Sequence, residues 1–244
     1  MRIEGARVVV TGGASGLGRA VAEGWRARGA QVVVFDRDPA ARALHGADFA
    51  EVDVTDEGSV AAGIAQAVAR MGGIDALVNC AGVVIGERVL GRSGPHALAS
   101  FRRTVDINLV GSFNVLRLAA EVMAANEGPE RGVVINTASV AAMDGQAGQA
   151  AYAASKAGIA GLTLPLARDL AKQGIRVCAI APGIFATPMM SGFTEEVQAG
   201  LAASVTFPKR LGDPAEFADL AAFILTCGYL NGEVIRLDGA LRMA

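Results

Sequence analysis

A phenol and an ammonium one helical turn apart, with a serine upstream, can carry a proton to or from an alcohol. The chain offers such a set in Ser139, Tyr152 and Lys156. If Tyr152 opens a helix, Lys156 falls one turn later on the same face. A free phenol titrates near pH ~10, too high for a base at neutral pH. A nearby ammonium favours the phenolate and lowers that value. Ser139, at the end of a predicted strand, can hold the oxygen from which Tyr152 removes a proton. Tyr-x-x-x-Lys also arises by chance on amphipathic helices, so its weight depends on the elements that position it.

Those elements alternate regularly. An apolar, β-branched run over residues 7–11 reads as a buried strand. It leads into Thr11-Gly12-Gly13-Ala14-Ser15-Gly16-Leu17-Gly18 and a helix through Arg28. A strand, a glycine turn and a helix N-terminus make a cradle for a pyrophosphate. The spacing is Gly-x-x-x-Gly-x-Gly rather than the common Gly-x-Gly-x-x-Gly. A second strand, 31–35, ends at Asp36, where a carboxylate can bind the adenosine ribose of NAD and repel the 2′-phosphate of NADP. Arg37 could favour that phosphate, but strand alternation should point it the other way. A third strand, 48–52, delivers Asp53 and Val54. A fourth, 76–80, ends in Asn79-Cys80-Ala81-Gly82, a small-residue turn where backbone can approach a ligand.

Residues 82–99 carry four glycines and a proline and read as a long loop of the kind that builds substrate pockets. A helix over 98–126 contains Asn108, a polar residue among apolar ones that needs partners if buried. The fifth strand, 132–139, brings Ser139 to the edge, and the Tyr152 helix runs to about 172, with Pro165 expected to bend it. The sixth strand, 176–181, closes on Pro182-Gly183. Thr187 follows, then Met189, Met190 and Phe193 as a candidate apolar lid before a short helix over 194–204. Asp213-Pro214-Ala215-Glu216 reads as a capped helix start, and the last strand spans 233–237. Seven strands alternating with helices predict a single-domain α/β fold. It is a Rossmann-type, doubly wound, parallel sheet with helices on both faces and ligand sites at the strand C-terminal ends.

Composition narrows the function classes. Of 244 residues, 52% are apolar and 19% charged, and the net charge is −2, which leaves no footprint for nucleic acid. No uninterrupted apolar run approaches the ~18 residues of a membrane span. The first strand starts too early for a signal peptide, so a cytoplasmic protein is expected. Cys80, Cys178 and Cys227 lack metal spacing and read as reduced thiols, two in strands and one in a helix. His45 and His96 stand apart, and no metal site is expected.

These motifs resemble, in order and over essentially the whole chain, the short-chain dehydrogenase/reductase family. The resemblance rests on the Thr11–Gly18 turn, Asn79-Cys-Ala-Gly82, Asn108, Ser139, Tyr152-x-x-x-Lys156 and Pro182-Gly-x-x-x-Thr187. The runs 135–142, 163–170, 210–216 and 230–239 are most similar to members acting on 3-hydroxyacyl-CoA. Cys80 stands where many members have Asn, and residues 82–108 match poorly. The resemblance implies NAD, with its phosphates over Gly12, Ser15, Gly16, Leu17 and Gly18, its ribose on Asp36 and its adenine at Asp53 and Val54. Asn79, Ala81, Gly82, Pro182 and Gly183 would line the cofactor, and Thr187 would bind its carboxamide. Tyr152 is then the general base, Ser139 the donor to the substrate oxygen, and Lys156 both ribose ligand and modulator of Tyr152. Asn108 would position a water linking Lys156 to solvent. Gln146, Gln149, Met189, Met190 and Phe193 are expected at the substrate, an acyl-CoA thioester, with Arg88, Arg92, Lys209 and Arg210 bordering the pocket mouth. A 3-oxoacyl-carrier-protein reductase, a steroid-like alcohol dehydrogenase and a non-catalytic dinucleotide scaffold are the alternatives. A homotetramer is implied, its long helices pairing through Ala154, Gly158 and Gly161.

Overall fold

The computed structural model describes residues 1–243 apart from positions 46, 47, 93, 189, 191 and 193, with backbone only at 44 and 45. Among the described residues, seven strands form one parallel sheet: β1 (Arg7–Thr11), β2 (Gln31–Asp36), β3 (Phe49–Glu51), β4 (Ala76–Asn79), β5 (Gly132–Thr137), β6 (Ile175–Pro182) and β7 (Val234–Leu237). Their spatial order is β3-β2-β1-β4-β5-β6-β7. The direction of winding reverses between β1 and β4, which opens a crevice at their C-terminal ends.

Valine-rich runs suit strands buried on both faces. Period-two alternation sends Val8, Val10, Val32 and Val34 to one core with Trp25 and Phe217. The intervening Val9, Val33, Leu77 and Val134 enter the opposite core with Ile64 and Met123. The first core is covered by α1 (Gly16–Ala27) and, later in the chain, by the helix Pro214–Thr226. The second is covered by α2 (Glu57–Met71), α3 (Leu98–Ala124) and α4 (Ala150–Asp169). A further helix, α5 (Glu195–Ser204), buries none of its residues. Pro214–Thr226, now α6, starts on the expected capping box between Asp213 and Glu216.

Three local differences from the sequence reading matter. Helix α3 is not uniformly α-helical, since Asp106–Val110 forms a π turn centred on Asn108. Helix α4 begins two residues before Tyr152 and continues through Pro165 to Asp169. Cys80 lies just beyond β4 rather than within it, and Cys227 caps the end of α6. The span Leu98–Ala124 is long and apolar enough by composition to cross a membrane, with half of its most apolar window buried in the protein.

Candidate active site

At the β1 end, the Thr11 hydroxyl accepts from the amides of Cys80 and Ala81, each at 3.1 Å, and donates to Asn79 Oδ1 at 3.3 Å. Asn79 donates in turn to Asn136 Oδ1 at 3.0 Å and to the Ser112 carbonyl at 3.1 Å. Three strand ends are thereby locked together. The turn between β1 and α1 has no room for side chains at Gly12, Gly13 and Gly18. A Cβ on Gly12, where φ is +65°, would lie 2.7 Å from the Ala81 amide nitrogen, and one on Gly18 would run into the Gly12 carbonyl. Helix α1 has no acidic residue in its first turn, and the Ser15 side chain makes no capping bond. Its N-terminal amides and dipole point where an anion could bind. Leu17, half-buried, packs behind the turn against the sheet core.

Asp36 ends β2 and accepts from the amides of Ala14 at 3.0 Å and Asp38 at 3.1 Å, which holds its carboxylate against the phosphate turn. Asp53 accepts from the Thr55 hydroxyl at 2.7 Å and amide at 2.9 Å. Those bonds, helped by the charge of Arg37, keep its carboxyl below the usual range. The charge of Arg37 thus reaches Asp53. Strand β2 ends at Asp36, so alternation does not govern the next residue. Val54 is buried, with its carbonyl accepting from Asn114 at 3.0 Å. Pro182 closes β6, and the Gly183 amide donates to the Leu237 carbonyl at 2.9 Å. Thr187 then folds over the phosphate turn, its Cβ 3.5 Å from where a Gly16 side chain would begin. A cradle that one Cβ would fill, an uncapped helix end and a carboxylate at the β2 tip together fit a dinucleotide.

Ser139 and Lys156 are buried beside this cradle. Ser139 lies two residues past β5 and accepts from the Ala141 amide at 3.1 Å. Lys156 Nζ donates to the Thr137 carbonyl at 2.6 Å and stands 5.9 Å from the centre of the Tyr152 ring. Gly82 faces both Asn108 Oδ1 and Lys156 Nζ, at 3.1 and 3.7 Å from its would-be Cβ. Burial lowers the Lys156 pKa to about 8, opposed by the nearby Cys80. Part of Tyr152 reaches solvent, yet loss of water around the ring raises its phenol, opposed by a hydrogen bond with Ser139. This corrects the expected order of effects. In the cofactor-free protein desolvation dominates at Tyr152, while the Lys156 ammonium donates to the Thr137 carbonyl.

Asn108 is fully buried and all its side-chain hydrogen-bonding atoms have partners. Oδ1 accepts from the Val83 amide at 2.8 Å, while Nδ2 donates to the Val83 carbonyl at 2.9 Å and to Ser155 Oγ at 3.0 Å. Its side chain is therefore a strut between the β4 turn and α4, not a free holder of water. Ser155 completes the strut by donating to the Tyr152 carbonyl at 2.7 Å. Sequence reasoning gave no role to Ser155, Thr137 or Asn136. The signal for Asn136 was present: it pairs with Asn79 across β4 and β5, two polar residues on otherwise apolar strands. Among the described residues Asn136 Nδ2 is buried without a partner.

The substrate side is looser. Gln149 sits at the start of α4, and its Oε1 is buried without a partner among the described residues. Gln146 is exposed. Met190 is half-buried; its amide donates to the Thr187 carbonyl at 2.8 Å and its carbonyl accepts from Gln198 at 3.1 Å. Met189 and Phe193 lie outside the described residues. Val84, Val89, Leu90 and Leu98 expose apolar surface along the 82–99 loop, where Arg88 and Arg92 are also exposed. Arg210 pairs with Glu216 through two contacts of 2.8 Å. Gly158 is turned toward Leu109 of the same chain, where a Cβ would meet Cδ2 at 2.6 Å, so it is not part of an outward-facing helix seam.

The model for the short chain dehydrogenase family matches residues 6–198. A 3-hydroxyacyl-CoA dehydrogenase type-2 from Homo sapiens is 50% identical over 252 residues, covering 99% of this chain and 97% of its own. One from Drosophila melanogaster is 50% identical over 253 residues, covering 99% of both chains. The crystal structure of a 3-hydroxyacyl-CoA dehydrogenase type-2 from Mycobacterium avium superposes with a TM-score of 0.93 at 46% identity, over 98% of this chain and 97% of that one.

Proposed function

The chain belongs to the short-chain dehydrogenase family, whose members are typically NAD(P)-dependent, and on that premise we propose that it interconverts 3-hydroxyacyl-CoA and 3-oxoacyl-CoA with NAD. It is an oxidoreductase acting on CH–OH. One observation carries the assignment of roles: Ser139 and Lys156 are both buried at the mouth of the dinucleotide cradle, with Lys156 Nζ 5.9 Å from the centre of the Tyr152 ring. Gly12, Ser15, Gly16, Leu17 and Gly18 would hold the phosphates, Asp36 the adenosine ribose, and Asp53 and Val54 the adenine. Asn79, Ala81, Gly82, Pro182, Gly183 and Thr187 would line the nicotinamide half, with Tyr152 and Lys156 meeting its ribose. When bound, NAD supplies the acceptor for the hydride.

The chain's own residues do the rest. In alcohol oxidation Tyr152 takes the hydroxyl proton as general base, and Ser139 donates a hydrogen bond to the same oxygen. In ketone reduction Tyr152 returns the proton as acid. Lys156, with a value near neutrality, stabilises the charge that Tyr152 gains. Asn108 and Ser155 hold α4 so that Tyr152 faces the alcohol. Gln146, Gln149 and Met190 would border the acyl chain, and the flexible thioether of Met suits chains of differing length. Asp36 argues against a carrier-protein reductase using NADPH. A homotetramer is supported by the outward face of α4, where Ala154, Gly161 and Leu164 are exposed at helical spacing.

The test follows NADH oxidation with acetoacetyl-CoA, acetoacetyl-pantetheine and a cyclic ketone. The thioesters should lead in kcat/KM, and CoA should exceed pantetheine in kcat as well as in affinity if its remote half assists the chemical step. A cyclic or steroidal ketone outrunning both thioesters would overturn the substrate assignment while leaving the reaction class standing.

A further inference from the structure

We propose that Asp144 and Arg236 are positioning residues for the alcohol–ketone reaction, the ion pair between them setting the loop that joins Ser139 to Tyr152. This rests on the reading that Ser139 and Tyr152 carry the reaction. The two reacting side chains sit at opposite ends of a loop with a short helical turn at Val140–Ala142 and glycines at 145 and 148. Most hydrogen bonds along it are local, such as the Asp144 amide to the Val140 carbonyl at 2.9 Å and the Gln149 amide to the Gln146 carbonyl at 3.0 Å. Among the described residues, polar tethers reach it from outside at two points. One is the Glu87 amide donating to the Gly148 carbonyl at 2.8 Å, from a loop that is itself exposed.

The other tether is the stronger. Arg236 Nη2 donates to Asp144 Oδ2 at 2.6 Å and Nη1 to Oδ1 at 3.2 Å, the two-pronged geometry that fixes orientation as well as distance. Arg236 belongs to β7, so its backbone is held in the sheet. Its Nε donates to Asp238 Oδ2 at 2.7 Å and Nη2 to the Leu241 carbonyl at 2.9 Å, which leaves the guanidinium little freedom. Both acids are mostly buried, at 15% and 8% side-chain exposure, so water screens these contacts weakly. The Arg236 hydrogen bond holds the Asp144 carboxyl below its ordinary range, and the Met243 amide adds to this. The same tail also holds the segment after α5: Thr206 Oγ1 donates to the Ala240 carbonyl at 3.0 Å and the Phe207 amide to the Gly239 carbonyl at 3.1 Å. The C-terminal strand and tail thus anchor the reacting loop and the base of α5 together.

Asp144→Asn is the informative change, because it removes one charge while Arg236 keeps Asp238 and no buried cation is orphaned. Asp144→Glu retains the carboxylate. The readouts are kcat and KM for ketone reduction, the NADH dissociation constant by fluorescence, and the melting temperature. Asp144→Asn and Arg236→Lys should each lower kcat roughly tenfold through misplacement of Ser139 against Tyr152. NADH affinity should stay within about twofold in both. Asp144→Glu should recover most of kcat. Parental kcat in Asp144→Asn would overturn the proposal, as would equal losses of kcat in the Asn and Glu variants. If Tyr152→Phe stays active, the underlying reading has failed instead, and the two failures are told apart.

Discussion

The two walls of the cleft are built differently. On the wall formed by β1, β4 and β5, backbone meets backbone with no spare volume, and polar side chains are paired across strands. Gly12 against Ala81 and Thr11 against Asn79 are examples. On the opposite wall, the 82–99 loop exposes Val89 and Leu90, and α5 buries nothing. The first wall has one way to be assembled, whereas the second gains little from any one arrangement. A reaction common to many alcohols requires fixed geometry only where proton and hydride move. Discrimination among acyl groups can be left to a softer surface. Substitutions on the first wall should therefore have large, selective effects, and those on the second small, substrate-dependent ones.

The largest effect should come from Tyr152→Phe, which removes the proton carrier and, at the nicotinamide ribose, no more than one hydroxyl contact. Turnover should fall by roughly 10²–10⁴, the usual worth of a positioned acid–base group. NADH affinity, titrated by fluorescence, should change less than about threefold, since the cradle owes its shape to backbone. Retention of more than a few per cent of activity would place the proton carrier elsewhere. Comparable losses in turnover and affinity would make Tyr152 part of the cradle and blur the distinction between chemistry and cofactor binding.

How much of this was legible in the sequence follows the same division. The strand ends were readable because buried parallel strands announce themselves as runs such as Val8-Val9-Val10, and because only glycine satisfies the sterics at Gly12 and Gly18. Lys156 was found from its spacing to Tyr152. Its lowered pKa was not, because desolvation depends on what closes over the side chain. Asn108 was seen as a buried polar residue, but the π turn that aims it at Val83 and Ser155 leaves no mark in helical periodicity. Asp144 and Arg236 lie 92 positions apart, and nothing local relates them. The 82–99 loop and the Met189–Phe193 segment carry no periodic pattern, so side-chain identity suggested a lid without fixing its form.

Lys156 offers the next test, since a buried ammonium should make the first wall less stable than it could be. Its pKa falls from 10.5 to about 8 on folding, so between those values the unfolded chain binds more protons and stability rises with pH. Below pH 8 the penalty is complete, at most roughly 3 kcal/mol by the linkage of ~1.36 kcal/mol per pKa unit. Lys156→Met should therefore raise the melting temperature of the cofactor-free protein at pH 7 while abolishing turnover. Some of the gain is offset by the Thr137 carbonyl losing its donor, about 1 kcal/mol. The gap between variant and parent should narrow as pH increases from 8 to 10.5. A variant less stable than the parent at pH 7 would mean the lysine's contacts outweigh its desolvation.

Asp36→Ser should produce a smaller but sharper change. A charge-assisted hydrogen bond to the ribose is worth roughly 1.5–3 kcal/mol, about ten- to a hundredfold in NAD use. The parent should favour NAD over NADP in kcat/KM, and the variant should lose most of that preference. Equal use of both cofactors by the parent would promote Arg37, which follows Asp36 in the chain, to the residue that reads the 2′ position.

The smallest effect should lie on the second wall. Arg88 and Arg92 are exposed beside apolar Val89 and Leu90, and on the proposed function their guanidiniums would meet the phosphates of a CoA tail. Exposed charge pairs contribute about 0.2–1 kcal/mol each, so Arg88→Ala with Arg92→Ala should lower kcat/KM for acetoacetyl-CoA several-fold and no more. The loss should shrink as salt is raised, because exposed charges a Debye length apart are screened. Acetoacetyl-pantetheine, which lacks the nucleotide, should be unaffected. A hundredfold loss that persisted in high salt would mean that this wall also contains a built, desolvated site. The contrast between a fixed chemical wall and a permissive substrate wall would then fail at the point where it predicts the most tolerance.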